Sequence, residues 1–89
     1  MTRTHKYSIL VGDDSEMDIN YVTEVIRQYS KECRVIAAFD GEQVYHKALE
    51  YRPDVILLDL HMPKRNGIEV IRMLKSYYQT HKIPVLVIT

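Results

Sequence analysis

Cysteine is almost missing from this chain, and with Cys33 alone there is no internal disulfide to hold the fold, which must rest on packing and suits a reducing compartment. An excess of either charge is missing too. Twelve basic residues balance 12 acidic ones for a formal net charge of +0. No overall field therefore recruits nucleic acid or an anionic membrane, and no direct nucleic-acid partner is expected. Long apolar runs are absent: Ile9-Leu10-Val11, after the basic opening Met1-Thr2-Arg3-Thr4-His5-Lys6, is too short for a signal-peptide core or a membrane span. The expectation is a cytoplasmic protein without a membrane segment. Repeats, Gly/Ser linkers and charge blocks are also lacking, so nothing divides the 89 residues into more than one domain. A chain of this size builds one modest core.

What the sequence does contain is an alternation of two periods. Tyr7–Val11, Cys33–Phe39, Val55–Leu58 and Ile83–Ile88 are short, continuous apolar runs rich in β-branched residues, the pattern of strands buried on both faces. Between them lie three helical patterns. The first runs from about Glu16 to Tyr29, with Ile19, Val22, Ile26 and Tyr29 on one stripe and Asp14 or Ser15 as its cap. The second runs from about Glu42 to Tyr51, aligning Val44, Ala48 and Tyr51, capped by Asp40 and stopped by Pro53. The third runs from about Ile68 to Tyr78, aligning Ile68, Ile71, Leu74 and Tyr78 behind the turn signals Pro63 and Asn66-Gly67, where Gly67 supplies a turn conformation. The order βαβαβαβ implies an α/β, doubly wound parallel sheet with right-handed crossovers and helices on both faces. Two strand orders are common in such sheets, and the order 2-1-3-4 sets the first and third strands side by side at the switch point where ligands bind.

Asp13 and Asp14 end the first strand and Asp59 ends the third. Alone, Asp14 reads as a helix cap, Asp13 as a turn residue and Asp59 as the start of a loop. On neighbouring strands about 4.8 Å apart, the three carboxylates share one small volume. Crowded like charges call for a cation, and an all-oxygen set without cysteine or paired histidine suits a hard ion such as Mg2+. His5, His46 and His81 have no metal-ligand spacing and read as surface residues.

The segments Ile9-Leu10-Val11-Gly12-Asp13-Asp14, Leu57-Leu58-Asp59-Leu60-His61-Met62-Pro63, Asn66-Gly67 and Ile83-Pro84-Val85-Leu86-Val87-Ile88-Thr89 together resemble a response-regulator receiver domain of two-component signalling. The resemblance runs along essentially the whole chain, the one departure within it being Asn66, where the family often has aspartate. It implies the flavodoxin-like order 2-1-3-4. It also implies Asp59 as phosphoacceptor, Asp14 as a direct Mg2+ ligand, Asp13 as a ligand largely through water, the backbone carbonyl of His61 as a further ligand, and Thr89 as the switch hydroxyl. The implied donor is a histidine kinase or a histidine phosphotransfer protein, and the chain is then a phosphoacceptor and not itself an enzyme. A phosphatase of the haloacid-dehalogenase kind would want aspartate two residues after the nucleophile, where His61 stands.

The family continues beyond the threonine with a helix, a lysine-bearing strand and a final helix, so residues 1–89 are expected to form a receiver domain incomplete at its C-terminus. On that expectation the strand Ile83–Ile88 is an exposed edge, and the 89-residue species either pairs through it as a homodimer or swapped oligomer or is a fragment of a longer chain. The competing expectation is a phosphorylation-incompetent, receiver-like module for protein interaction or dimerisation.

Overall fold

The β-branched runs become strands and the amphipathic runs become helices in the computed structural model, which describes residues 5–88. In chain order these are β1 (Tyr7–Gly12), α1 (Glu16–Tyr29), β2 (Cys33–Ala38), α2 (Gly41–Tyr51), β3 (Val55–Leu58), α3 (Gly67–Ser76) and β4 (Val85–Val87). The four strands form one parallel sheet in the order β2-β1-β3-β4. This is the α/β order expected from the resemblance. β1 is central, with Ile9 opposite both Val35 and Val55, and Gly12 opposite both Ala38 and Leu58.

Alternate residues of the strands face opposite layers. Leu10, Ile36, Ala38, Ile56 and Leu58 point to one side and pack with Val44 and Ala48 of α2 and with Val70 and Leu74 of α3. On the other side, Val25 and Ile26 of α1 share a groove with Ile9 and Val55, while Val22 approaches Leu57. Cover on both faces explains why β1 and β3 are continuous in hydrophobicity rather than alternating, whereas β4, expected to be buried on both faces, leaves Leu86 and Val87 exposed at the sheet edge.

Helix boundaries follow their caps. Ser15 accepts the Asp18 N–H at 3.2 Å and is the cap of α1, in preference to Asp14. Asp40 accepts the Gln43 N–H at 2.8 Å, and Asn66 accepts the Glu69 N–H at 3.0 Å. β2 stops at Ala38 because the Phe39 N–H turns to the Gln43 side chain. β4 is shorter than its apolar run: Pro84 has no N–H to give the ladder, and the Ile83 N–H donates back to Thr80. α3 ends at Ser76, two residues before its expected end. The buried Thr80 hydroxyl donates to the Leu74 carbonyl at 2.7 Å and closes that terminus.

Three tyrosines placed on apolar stripes by their spacing lie at the surface instead. Tyr29 and Tyr78 are each 87% exposed, and Tyr51 is 39% exposed beneath the Arg34 guanidinium, 5.0 Å from the ring centroid. A phenol at the end of a helix keeps its hydroxyl in water while its ring covers neighbouring surface.

Candidate metal centre

Gly12 and Leu58 are the last paired residues of two adjoining strands, and the next residue in each case is an aspartate. The Asp13 N–H donates to Ala38 O at 3.0 Å and the Asp59 N–H to Gly12 O at 2.9 Å, so both backbones are tied into the sheet at the point where their side chains leave it. Carboxylate oxygens of Asp13, Asp14 and Asp59 all lie within 4.8 Å of one another. Asp13 and Asp59 are buried and Asp14 is exposed.

Two local turns aim these groups. Asp13 Oδ1 accepts the Ser15 N–H at 3.0 Å, turning the chain into α1. Asp59 Oδ1 accepts the His61 N–H at 2.8 Å, turning it into the loop before α3. The His61 side chain is exposed. Thr89, the expected switch hydroxyl, lies outside the described residues.

Electrostatically the site is crowded with negative charge. Burial pushes the Asp13 carboxyl above its usual range, the charges of Asp59, Asp18 and Asp14 add to the rise, and the Ser15 N–H opposes it. The donors are all oxygen, two of the three groups are withdrawn from water, and all three converge on one small volume that a single ion can share, directly or through water. That set fits a hard divalent cation of the Mg2+ kind. Cys33 has no comparable role: burial, with the Asp54 charge adding to it, pushes its thiol up and keeps it protonated.

Sequence reasoning missed how the loop from Asp59 to Asn66 is held. Gly67 does not supply a left-handed turn, since no glycine has a positive φ among the described residues. Its role is close approach. A Cβ there would stand 2.6 Å from Leu60 Cα, and the Gly67 N–H donates to Leu60 O at 2.9 Å, so α3 begins pressed against the residue after Asp59. The left-handed residue is Lys64, with φ 71°. Its neighbours Pro63 and Arg65 lean on the start of α2, a contact with no local signal in the sequence.

The response regulator receiver domain family matches residues 9–89, and the chain belongs to that family. Among solved structures it is similar to the N-terminal domain of a response regulator receiver protein from Methanoculleus marisnigri JR1. That match has 38% identity and a TM-score of 0.83, covering 94% of this chain and 67% of the other. It is also similar to the phosphorylated cyanobacterial phytochrome response regulator RcpA, at 32% identity and a TM-score of 0.82, covering 93% of this chain and 64% of that one. A curated relative is the protein-glutamate methylesterase/protein-glutamine glutaminase of Colwellia psychrerythraea, 36% identical over 74 residues. The match takes in 83% of this chain and 20% of that protein, so the chain spans a minor part of the relative's length. Among the described residues no helix is long and apolar enough to cross a membrane.

Proposed function

We propose that this chain is a phosphorylation-switch receiver, with Asp59 accepting a phosphoryl group from the phosphohistidine of a histidine kinase or histidine phosphotransfer protein in the cytoplasm. The observation that carries the reading is the meeting of Asp13, Asp14 and Asp59 within 4.8 Å at the ends of adjoining parallel strands, in a chain of the receiver family. The phosphorylated state of the similar cyanobacterial regulator supports it.

In this reading Asp14, Asp13 through water, Asp59 and the His61 backbone carbonyl would hold Mg2+, and Thr89 would supply the switch hydroxyl. Mg2+, when bound, neutralises charge on the phosphoryl oxygens. Everything else falls to the chain. An Asp59 oxygen forms a bond to phosphorus as the bond from phosphorus to the donor imidazole nitrogen breaks, and the electron pair leaves with that nitrogen. An acyl phosphate on Asp59 results. A carboxylate nucleophile needs no general base, so the protein's task is positioning. The Asp59 Oδ1 contact with the His61 N–H holds the carboxylate in one orientation before any donor arrives.

Incubation with a small phosphodonor and Mg2+, followed by intact mass, tests the proposal. A gain of one phosphoryl group that is lost in Asp59→Asn is expected. No gain in the unaltered protein under conditions where it is folded overturns it and favours the second reading, a receiver-like module that binds protein without phosphorylation. That second reading rests on the exposed Leu86, Val87 and Ile88 of the edge strand region.

A further inference from the structure

We infer that Asp40 and Glu42, at the start of α2, are positioning residues for the Asp59 loop, holding it from outside the metal centre through Lys64 and Arg65. The effect on phosphoryl transfer rests on the function proposed above; the effect on the loop does not.

Between Asp59, fixed in the sheet, and Asn66, which caps α3, the chain has no regular structure. Its middle is anchored by Met62, buried beside Gly12 at the end of β1. Its far side is anchored on α2. Pro63 O accepts both the Arg65 N–H at 2.9 Å and the Gly41 N–H at 3.3 Å, closing a tight turn over the helix start. Lys64, at the centre of that turn, has φ 71°, a conformation that a residue with a side chain keeps only where its surroundings hold it.

Charge does the holding. Lys64 Nζ lies 3.4 Å from Asp40 Oδ2, and Arg65 Nε lies 2.5 Å from Glu42 Oε1, with a second Arg65 nitrogen 3.6 Å from Glu69. Asp40 is a stiff anchor: its side chain is 10% exposed, and its other oxygen is occupied by the Gln43 N–H at 2.8 Å. That same N–H holds the Asp40 carboxyl below its usual range, with the Lys64 charge adding to the effect. Gly41 makes the close approach possible, because a Cβ on it would run into the Arg65 backbone. Ion pairs at a surface are weak one at a time. Here three of them and two backbone hydrogen bonds converge on three consecutive residues, which lowers the entropy that each must overcome.

The consequence reaches the metal centre by a short route. Only Met62 separates Pro63 from His61, whose N–H orients the Asp59 carboxylate. Releasing residues 63–65 from α2 frees that N–H to leave Asp59.

The test is Asp40→Asn with Glu42→Gln. Asparagine still caps α2, so the helix is kept while both anchoring charges go. Amide exchange by NMR is read at His61 and Arg65, with β1 amides as the control for global stability. We expect both loop amides to exchange about tenfold faster while β1 is unchanged. The rate of phosphorylation by a small phosphodonor at saturating Mg2+ should fall about threefold, while Lys64→Arg, which keeps the charge, retains the unaltered rate. Loop exchange unchanged from the unaltered protein overturns the inference. If the unaltered protein takes no phosphoryl group, the proposed function fails, and exchange at His61 still decides the latch. Should the double variant not fold, Lys64→Gln, which alters one exposed side chain, carries the same exchange test: faster loop exchange supports the latch, and unchanged exchange overturns it.

Discussion

Replacing Asp13 with asparagine removes one of three crowded charges yet keeps the oxygen that accepts the Ser15 N–H at 3.0 Å, so the turn into α1 survives. Two unit charges at the 4.8 Å limit of the cluster repel by about 3.5 kcal/mol at an effective dielectric of about 20 and by about 0.9 kcal/mol in bulk water. Asp13 and Asp59 are both buried, so their pair leans to the larger value, while exposed Asp14 leans to the smaller. The metal-free Asp13→Asn protein should therefore be more stable than the unaltered one by about 1–3 kcal/mol, each of which raises Tm by about 4–8 °C in a domain of this size. Mg2+ should offset most or all of the advantage. At a hundredfold excess over its Kd a cation stabilises the protein that binds it by about 2.7 kcal/mol, a gain that the variant largely forgoes. The dependence on pH has a definite sign. The folded-state value of Asp13 is raised above 3.8, so its ionised form costs stability at neutral pH, and that cost is relieved as pH falls through the raised value towards 3.8. The gap between the two proteins narrows on acidification. Thermal melts followed by circular dichroism, with and without Mg2+, check all of this. A metal-free variant that melts at or below the unaltered protein, or that gains as much from Mg2+, refutes the reasoning.

Three further outcomes are expected. Gly67→Ala should lower stability by about 1–3 kcal/mol, read from urea midpoints, because the added methyl meets the Leu60 backbone rather than a side chain that can swing away; an unshifted midpoint would show that the loop yields freely. The Asp40 carboxyl has a lowered folded value, so its contribution is present above 3.8 and is lost as pH falls through the lowered one. Asp40→Asn should flatten the acid-unfolding limb in that window, and an unchanged limb would count against the cap and ion pair together. Leu86, Val87 and Ile88 are 57%, 48% and 40% exposed along the edge. On sedimentation the 89-residue species should associate with rising concentration, and a concentration-independent monomer argues against pairing.

The elements were legible because each carried its own period. Val55–Leu58 stands in the sheet as its apolar run predicts, and Glu16–Tyr29 is helical over the predicted span. The pairing of Asp13 and Asp14 with Asp59 was legible for a different reason: all three sit just past a strand, and a parallel sheet brings such positions to one edge. What escaped was contact between segments distant in sequence. Arg65 and Glu42 lie 23 residues apart, and charged residues in a loop and on a helix start look like ordinary solvated surface until the fold joins them. Gly67 escaped because two physical needs, a left-handed turn and a close approach, select the same residue. Tyr29, Tyr51 and Tyr78 satisfied a helical stripe by spacing, but ring size and the hydroxyl's demand for water moved them outward.

The central place of β1 has a kinetic side. Its partner β3 is remote along the chain: the Ser8 N–H donates to an Asp54 oxygen 46 residues away, next to the first β1–β3 rung. Closing so wide a loop forfeits chain entropy before any rung of that ladder compensates for it. Asp13 and Asp59 consequently remain strangers through the early steps of folding, and their mutual repulsion arises only as the sheet zips shut. A divalent cation that needs both carboxylates would then bind only after the sheet has closed, a bolt slid home afterwards that should slow unfolding more than it speeds folding.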